Sequence, residues 1–146
     1  MKKFKFSLST VLSYKQQVLG ALQGEHAAAI AKVHAQEEKL QKMQQAYEEF
    51  AEEYRQRCLE GIEIREALEC QAKLRAWERD LKQESEVLHQ LHLQEEQKRA
   101  QVVEAKKDTS ALEKLREKKR SEYDAEIAKG EEQFIEEFVS SQRAAQ

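Results

Sequence analysis

The stretch Cys58-Leu59-Glu60-Gly61-Ile62 decides how the chain folds, because one long helical pattern ends there and another begins just beyond it. Gly61 is the only glycine between Gly24 and Gly130, and the chain contains no proline. Glycine adopts backbone conformations that end helices, so Gly61 is the one strong break in the sequence. The stretch therefore predicts a single turn between two helices.

Apolar heptad patterns lie on both sides of this stretch. Positions a and d of a heptad form the contact face of a coiled coil. Before the turn, the a positions are Leu12, Leu19, His26, Val33, Leu40, Tyr47 and Tyr54, and the d positions are Leu8, Lys15, Leu22, Ala29, Gln36, Met43 and Phe50. After the turn, the a positions are Ala67, Leu74, Leu81, Leu88, Glu95, Val102 and Thr109, and the d positions are Cys70, Trp77, Glu84, Leu91, Lys98, Ala105 and Leu112. These patterns predict an all-α fold, a long antiparallel two-helix coiled-coil hairpin with a C-terminal helical overhang.

The predicted hairpin is a single coiled-coil domain over residues 1–146. Helix 1 is predicted over about 8–58, the turn over about 59–65 and helix 2 over about 66–139, with disordered or frayed ends. In an antiparallel pair the numbers of facing residues have a constant sum, and pairing a with d allows sums such as 117, 124 or 131. A sum of 124 centres the turn on Ile62, beside Gly61. This register places Tyr47 opposite Trp77 and Met1 opposite Tyr123. It also creates polar layers, which predict a bendable or locally frayed middle: His26 with Lys98, Ala29 with Glu95, and Lys15 with Thr109.

The chain beyond Tyr123 has no facing partner in this register. It still carries apolar residues at three- and four-residue spacing, namely Tyr123, Ile127, Phe134, Ile135, Phe138 and Val139. A helical stripe without an internal partner favours binding to another protein. A frayed, partly disordered terminus is the alternative.

The composition excludes several classes of function. Ala, Glu, Lys, Leu and Arg supply 82 of the 146 residues, which is typical of long helices. The net charge of -3 disfavours a free-standing nucleic-acid binder. No run is long enough to span a membrane, and the opening MKKFKFSLST lacks the features of a signal peptide, so we expect a cytosolic chain with reduced cysteines. No phosphate loop or nucleophile motif is present, and His89 and His92 lie at solvent-facing heptad positions, so we expect no enzyme activity, no cofactor and no metal.

Basic residues are concentrated near the open end of the predicted hairpin. Residues 1–24 contain four lysines and no acidic residue, and five more basic residues lie almost opposite in the predicted register, at Lys114, Arg116, Lys118, Lys119 and Arg120. Such a basic collar would steer the chain into an oppositely charged socket. A solvated face with no partner is the alternative.

The opening Phe4-Lys5-Phe6-Ser7-Leu8, followed by Leu12 and Lys15, resembles the F-x-F-x-L-x-x-x-L-x-x-K opening of the FliJ family, small cytoplasmic components of the bacterial flagellar type III export apparatus. The chain length and the pattern Gly61-Ile62 leading to Leu68 are similar as well. The resemblance implies a stalk like that of rotary ATPases. Such a stalk binds the hexameric export ATPase ring, the cytoplasmic domain of the export-gate membrane protein and export chaperones. It also implies a cytoplasmic protein, peripherally associated with the cell membrane at the flagellar base, that supports motility.

The resemblance also implies two binding surfaces. The residues expected to bind the export gate are Met43, Tyr47, Phe50, Tyr54, Trp77, Leu81 and Leu88. The residues expected to bind the ATPase ring are Phe4, Phe6, Arg116, Lys118, Lys119, Arg120, Ile127, Phe134 and Phe138. The heptad pattern places these gate residues in the seam between the helices, whereas the resemblance implies that they contact the gate. Both are possible only if the side chains are half-exposed.

Three alternatives stay open at this stage. A stalk protein of a virulence-type III secretion system would share the architecture, although the F-x-F opening favours the flagellar branch. A generic coiled-coil scaffold would bury its stripes between two chains, whereas the hairpin predicts a monomer of 17.1 kDa. An enzyme is the third alternative, and no motif in the sequence favours it.

Overall fold

Two helices joined by a short turn make up nearly all of the chain in the computed structural model, which describes residues 2–146. Helix α1 spans Ser9–Glu60 and helix α2 spans Ile64–Ala145. The helices pack against each other in antiparallel fashion, and the described residues contain no strand, so the prediction of an all-α helical hairpin is confirmed. Within residues 2–146, neither helix contains an apolar stretch that would cross a bilayer.

Gly61 ends α1 through its backbone conformation. Its φ is 106°, in the region that residues with a Cβ rarely adopt, and its N–H donates to the carbonyl of Arg57 at 3.0 Å. The N–H of Ala67 donates to the carbonyl of Glu63 at 3.0 Å, so the hydrogen bonds of α2 begin almost at once. The turn therefore occupies only residues 61–63, where the sequence predicted about 59–65.

The C-terminal end of α2 also lies beyond its predicted position. The sequence placed that end near residue 139, with disordered or frayed residues after it, whereas α2 continues to Ala145. Residues 140–145 contain neither glycine nor proline, and Gly130 does not have a positive φ. Nothing in this segment interrupts the helical hydrogen bonds, so the helix continues.

The chain divides into two compact units. Unit 1 comprises Met1–Ala21 and Val103–Gln146, and unit 2 comprises Leu22–Val102. The single coiled-coil domain over residues 1–146 stays a prediction. Met1 lies outside the described residues, and so does its predicted pairing with Tyr123.

The a and d positions of the heptads form the contact face within each unit. From Leu12 to Leu112, every a and d residue of either helix is buried or half-buried. The buried apolar side chains are Phe6, Leu12, Val33 and Cys70. Among residues 2–146 no side chain is fully enclosed, because two helices cover each other on one face only. Stability therefore comes from many partly buried layers rather than from one central core.

Polar residues within the seam of unit 2 are paired. A carboxylate oxygen of Glu95 lies 2.8 Å from Nε2 of His26 and 2.9 Å from a guanidinium nitrogen of Arg99. Hydrogen bonds from His26, and then from Arg99, hold the pKa of the Glu95 carboxyl below its ordinary value. The Glu84 carboxylate is bound similarly, by the amide of Gln36 at 2.5 Å and by the amine of Lys39 at 3.1 Å.

These pairings differ from the simple layers predicted by the register. Lys98 donates to Glu25 at 3.0 Å rather than lying unpaired beside His26. In unit 1, the hydroxyl of Thr109 donates to the carbonyl of Ala105 at 2.8 Å. The sequence predicted local fraying at the polar layers, whereas both helices are continuous through them. Polar side chains there find partners three or four residues away on the same helix, as Arg99 and Thr109 do.

Candidate partner-binding surfaces

Three aromatic side chains pack together near the turn within unit 2. The rings of Tyr47 and Trp77 are 6.2 Å apart and nearly perpendicular, and the rings of Phe50 and Trp77 are 5.9 Å apart. The amine of Lys73 lies 5.8 Å from the centre of the Phe50 ring, within the range of a cation–π contact. We call Tyr47, Phe50, Tyr54 and Trp77 the aromatic layer.

The tyrosine hydroxyls of the aromatic layer are held by polar groups of α2. The hydroxyl of Tyr47 donates to a carboxylate oxygen of Glu78 at 2.6 Å, and this bond raises the pKa of Tyr47 above its ordinary value. The hydroxyl of Tyr54 accepts from the amide of Gln71 at 3.2 Å. The rings are thereby fixed in position while their edges reach the surface, which is how aromatic side chains serve as anchors for a partner.

All seven residues predicted to contact the export gate are half-buried. A half-buried side chain is able to pack in the seam with one part and to contact a partner with the part that stays exposed. Leu81 and Leu88 line a groove of about 330 Å³, together with Leu40 of α1 and several polar side chains. Aromatic layer and groove both belong to unit 2, so the structure brings the predicted gate residues together in one unit.

The non-helical N-terminal segment packs along α2 within unit 1. The ring of Phe4 lies 5.6 Å from that of Tyr123, and the Arg120 guanidinium lies 5.1 Å from the Phe4 ring centre. The hydroxyl of Tyr123 donates to the carbonyl of Lys2. Phe6 is buried, with 8% of its surface exposed. Phe4 therefore attaches the segment to α2, and Phe6 is part of the buried interior.

The other residues predicted to bind the ATPase ring divide into two groups in unit 1. Arg116, Lys118 and Lys119 are exposed, and the Lys119 amine lies 3.6 Å from a Glu122 carboxylate oxygen. On the last part of α2, Ile127 is half-buried, whereas Phe134 and Phe138 are exposed. An exposed basic group and an exposed apolar group thus lie along the same helix of this unit.

Sequence reasoning did not select three exposed apolar residues beside the turn. Leu59, Ile64 and Leu68 have 75%, 80% and 60% of their surfaces exposed. A signal for them was present, since apolar residues at positions outside the a and d series have no place in the seam. Tyr123 was assigned to a stripe and to a position opposite Met1, whereas its observed contacts with the N-terminal segment are with Phe4 and Lys2.

No site for a metal ion is evident in the part of the chain that the structure describes. Residues 2–146 contain no group of three or more histidine, cysteine or acidic side chains arranged to hold one. His92 lies 3.6 Å from a carboxylate oxygen of Glu37, an exposed contact between the two helices.

The fold defines a helical-hairpin coiled-coil protein that carries exposed basic and apolar side chains. The family model described as "Flagellar FliJ protein" matches residues 4–146, and the chain belongs to this family. The family consists of non-enzymatic components associated with flagellar protein export. No curated protein and no solved structure matches the chain.

Proposed function

We propose that the chain acts as a non-enzymatic stalk in flagellar protein export, binding the export ATPase ring through unit 1 and the export gate through unit 2. Membership of the FliJ family is the observation that carries this proposal. The chemistry of the two units supports it, because each presents a different kind of docking surface. The protein acts in the cytoplasm at the membrane of the flagellar base and assists the delivery of substrates by chaperones. Its role in export supports assembly of the flagellum and hence motility and chemotaxis.

The surface for the ATPase ring combines charge with exposed apolar side chains. The basic collar provides long-range attraction to an acidic partner, in part through Arg116, Lys118, Lys119 and Arg120. Phe134 and Phe138 are 70% and 56% exposed, and burying them against a partner removes apolar surface from water. Electrostatic steering speeds association, and apolar burial then holds the complex.

The surface for the export gate is built on the aromatic layer. Large rings already held by neighbouring groups lose little conformational freedom on binding, so they contribute strongly to affinity. The hydrogen bond from Tyr47 to Glu78 and the packing of Phe50 on Trp77 provide this preorganisation. Met43, Leu81 and Leu88 extend the surface along both helices.

A genetic experiment tests the pathway. Deleting the gene in the organism that encodes it should abolish swimming while membrane-embedded flagellar rings still form, because export follows assembly of those rings. Restoring the intact gene should restore swimming. Normal swimming of the deletion strain would contradict the proposal.

Binding measurements test the two surfaces separately. Replacing Phe134 and Phe138 together by alanine should weaken binding to the purified ATPase by about tenfold or more, because two exposed anchors are lost. Replacing Trp77 and Tyr54 by alanine should weaken binding to the purified cytoplasmic domain of the gate by a similar factor. Circular dichroism should show retained helix in both variants. Unchanged affinity in either pair would refute the corresponding surface.

Leu93 provides a matched control for both pairs. Its side chain is 41% exposed and lies on α2 outside both proposed surfaces. Leu93→Ala should therefore leave both affinities within about twofold of the original. A loss as large as that of the surface variants would show that any apolar truncation on α2 weakens binding.

A further inference from the structure

Three exposed apolar residues lie within ten positions of one another around the turn, outside the a and d positions and outside the aromatic layer. Leu59 is 75% exposed, Ile64 is 80% exposed and Leu68 is 60% exposed. Single exposed apolar side chains are normal on a protein surface, whereas a cluster of them marks an interaction site. We call these three residues the turn patch.

The turn patch contributes little to the folding of the hairpin. Ile64 and Leu68 are four residues apart, so they lie on one face of the first turns of α2. Both stand outside the a and d positions that pack against α1. The positive φ of Gly61 reverses the chain without help from either side chain. Packing within the described chain therefore does not account for large apolar residues at these positions.

The face that carries Ile64 and Leu68 leads directly to the aromatic layer. Gln71 follows Leu68 by three residues on the same face of α2, and its amide donates to the hydroxyl of Tyr54. Tyr54 in turn is half-buried in the seam. The polar side chain of Gln71 thus lies between the turn patch and the proposed gate-binding rings, and all of them belong to unit 2.

Acidic side chains border the turn patch. Glu60, Glu63 and Glu66 lie within this short segment, and none of them forms an ion pair within residues 2–146. Two nearby arginines are paired with other glutamates, since Arg55 contacts Glu52 at 2.8 Å and Arg65 contacts Glu69 at 3.6 Å, whereas Arg57 forms no ion pair within residues 2–146. Residues 52–69 contain six acidic and three basic side chains, so the turn patch has a rim with an excess of negative charge.

The acidic rim determines which kinds of partner the turn patch is able to bind. A second copy of the chain would bring the acidic rims together, and like charges oppose that contact. The cytoplasmic face of a membrane carries anionic lipids, which also repel the rim. A protein segment with apolar residues flanked by lysine or arginine is complementary in both respects.

We infer that the turn patch binds an apolar, basic-flanked segment in the cytoplasmic domain of the export gate, extending the gate surface from the aromatic layer to the turn. This inference rests on the proposed function. It adds Leu59, Ile64 and Leu68 as anchors, and it assigns the three glutamates an electrostatic role. The aromatic layer and the turn patch then bind neighbouring parts of one partner.

Titration of the full chain with the purified cytoplasmic domain of the gate tests the inference. The double variant Ile64→Ser with Leu68→Ser should weaken binding by about tenfold or more, because two anchors become polar. The matched control Leu93→Ser changes an equally apolar, exposed residue elsewhere on α2 and should stay within about twofold. Because all three side chains are exposed, the variants should keep their helix content.

Salt dependence tests the acidic rim. Replacing Glu60, Glu63 and Glu66 together by glutamine should weaken binding by about threefold to tenfold at low salt and make the affinity less sensitive to added salt. A triple variant with the affinity and salt response of the original chain would overturn the electrostatic part of the inference.

The outcomes separate this inference from the proposed function. If the original chain binds the gate domain and the double serine variant binds equally well, the turn patch is refuted while gate binding stands. If the original chain does not bind the gate domain, gate binding fails and the turn patch fails with it. Patch-dependent binding to vesicles of phosphatidylcholine and phosphatidylserine, or a dimer abolished by the double variant, would assign the patch a different occupant and overturn the inference.

Discussion

Replacing Gly61 by alanine provides a direct test of how the turn is formed. The Cβ of alanine at Gly61 would meet no atom within 4 Å, so any cost comes from the backbone and not from a steric clash with neighbouring groups. At a φ of 106° this cost is about 1–2 kcal/mol for a residue with a Cβ. The same substitution at Gly24 or Gly130, which lie inside helices, should instead stabilise the chain by about 0.5–1 kcal/mol.

Urea denaturation followed by circular dichroism measures all three variants under the same conditions. We expect Gly61→Ala to unfold at a lower urea concentration than the original chain, and Gly24→Ala and Gly130→Ala to unfold at a higher one. Because all three sites have open space around the added methyl group, the opposite signs would come from backbone conformation alone. An unchanged or increased stability of Gly61→Ala would refute the assignment of Gly61 as the residue that ends α1.

Three further predictions follow from the seam. Leu12→Ala should lower the free energy of unfolding by about 2–4 kcal/mol, because Leu12 is 5% exposed, and a loss below about 0.5 kcal/mol, similar to that of exposed Leu93→Ala, would contradict its burial. Since His26 and Arg99 lower the pKa of Glu95 in the folded state, this carboxylate stabilises the fold above its unfolded pKa and the stabilisation is lost as pH falls below about 5. Glu95→Gln should therefore make thermal stability less steeply dependent on pH in the acid range, and an identical slope would refute the pairing. Analytical ultracentrifugation should give a monomer of 17.1 kDa, because each chain covers its own stripes, whereas a stable dimer would favour the scaffold alternative.

The heptad pattern predicted which residues form the seam, because apolar residues that recur at heptad spacing lie on one face of a helix. Leu12, Val33 and Cys70 stand at a and d positions, and all three are buried. The register also placed Tyr47 opposite Trp77, and their rings are in contact. The burial of these seam residues follows from their heptad spacing, and the contact of Tyr47 with Trp77 follows from that spacing together with the position of the turn.

The contacts of the N-terminal segment depend on information that spacing does not contain. Phe4 and Phe6 lie before α1, so no helical period relates them to the rest of the chain. The aromatic partner of Phe4, Tyr123, is more than a hundred residues away, and resemblance alone assigned Phe4 and Phe6 to a partner surface. Buried Phe6 shows that one residue of this motif supports the fold.

The polar layers show a second limit of reasoning from register. The sum rule identifies the residue directly opposite, yet His26 reaches Glu95 and Lys98 reaches Glu25. Long side chains choose among several neighbours according to charge and hydrogen bonding. The register therefore predicted a bendable or locally frayed middle, where the structure contains hydrogen-bonded polar side chains on continuous helices.

Binding to the export ATPase is the most direct test of the stalk. Purified chain should be added to the purified flagellar export ATPase, and sedimentation and the rate of ATP hydrolysis measured together. We predict that the original chain increases the fraction of ATPase hexamer and the turnover, and that the Phe134→Ala, Phe138→Ala double variant needs about tenfold more protein for the same effect. An ATPase whose assembly and turnover are unchanged by the original chain would contradict the account.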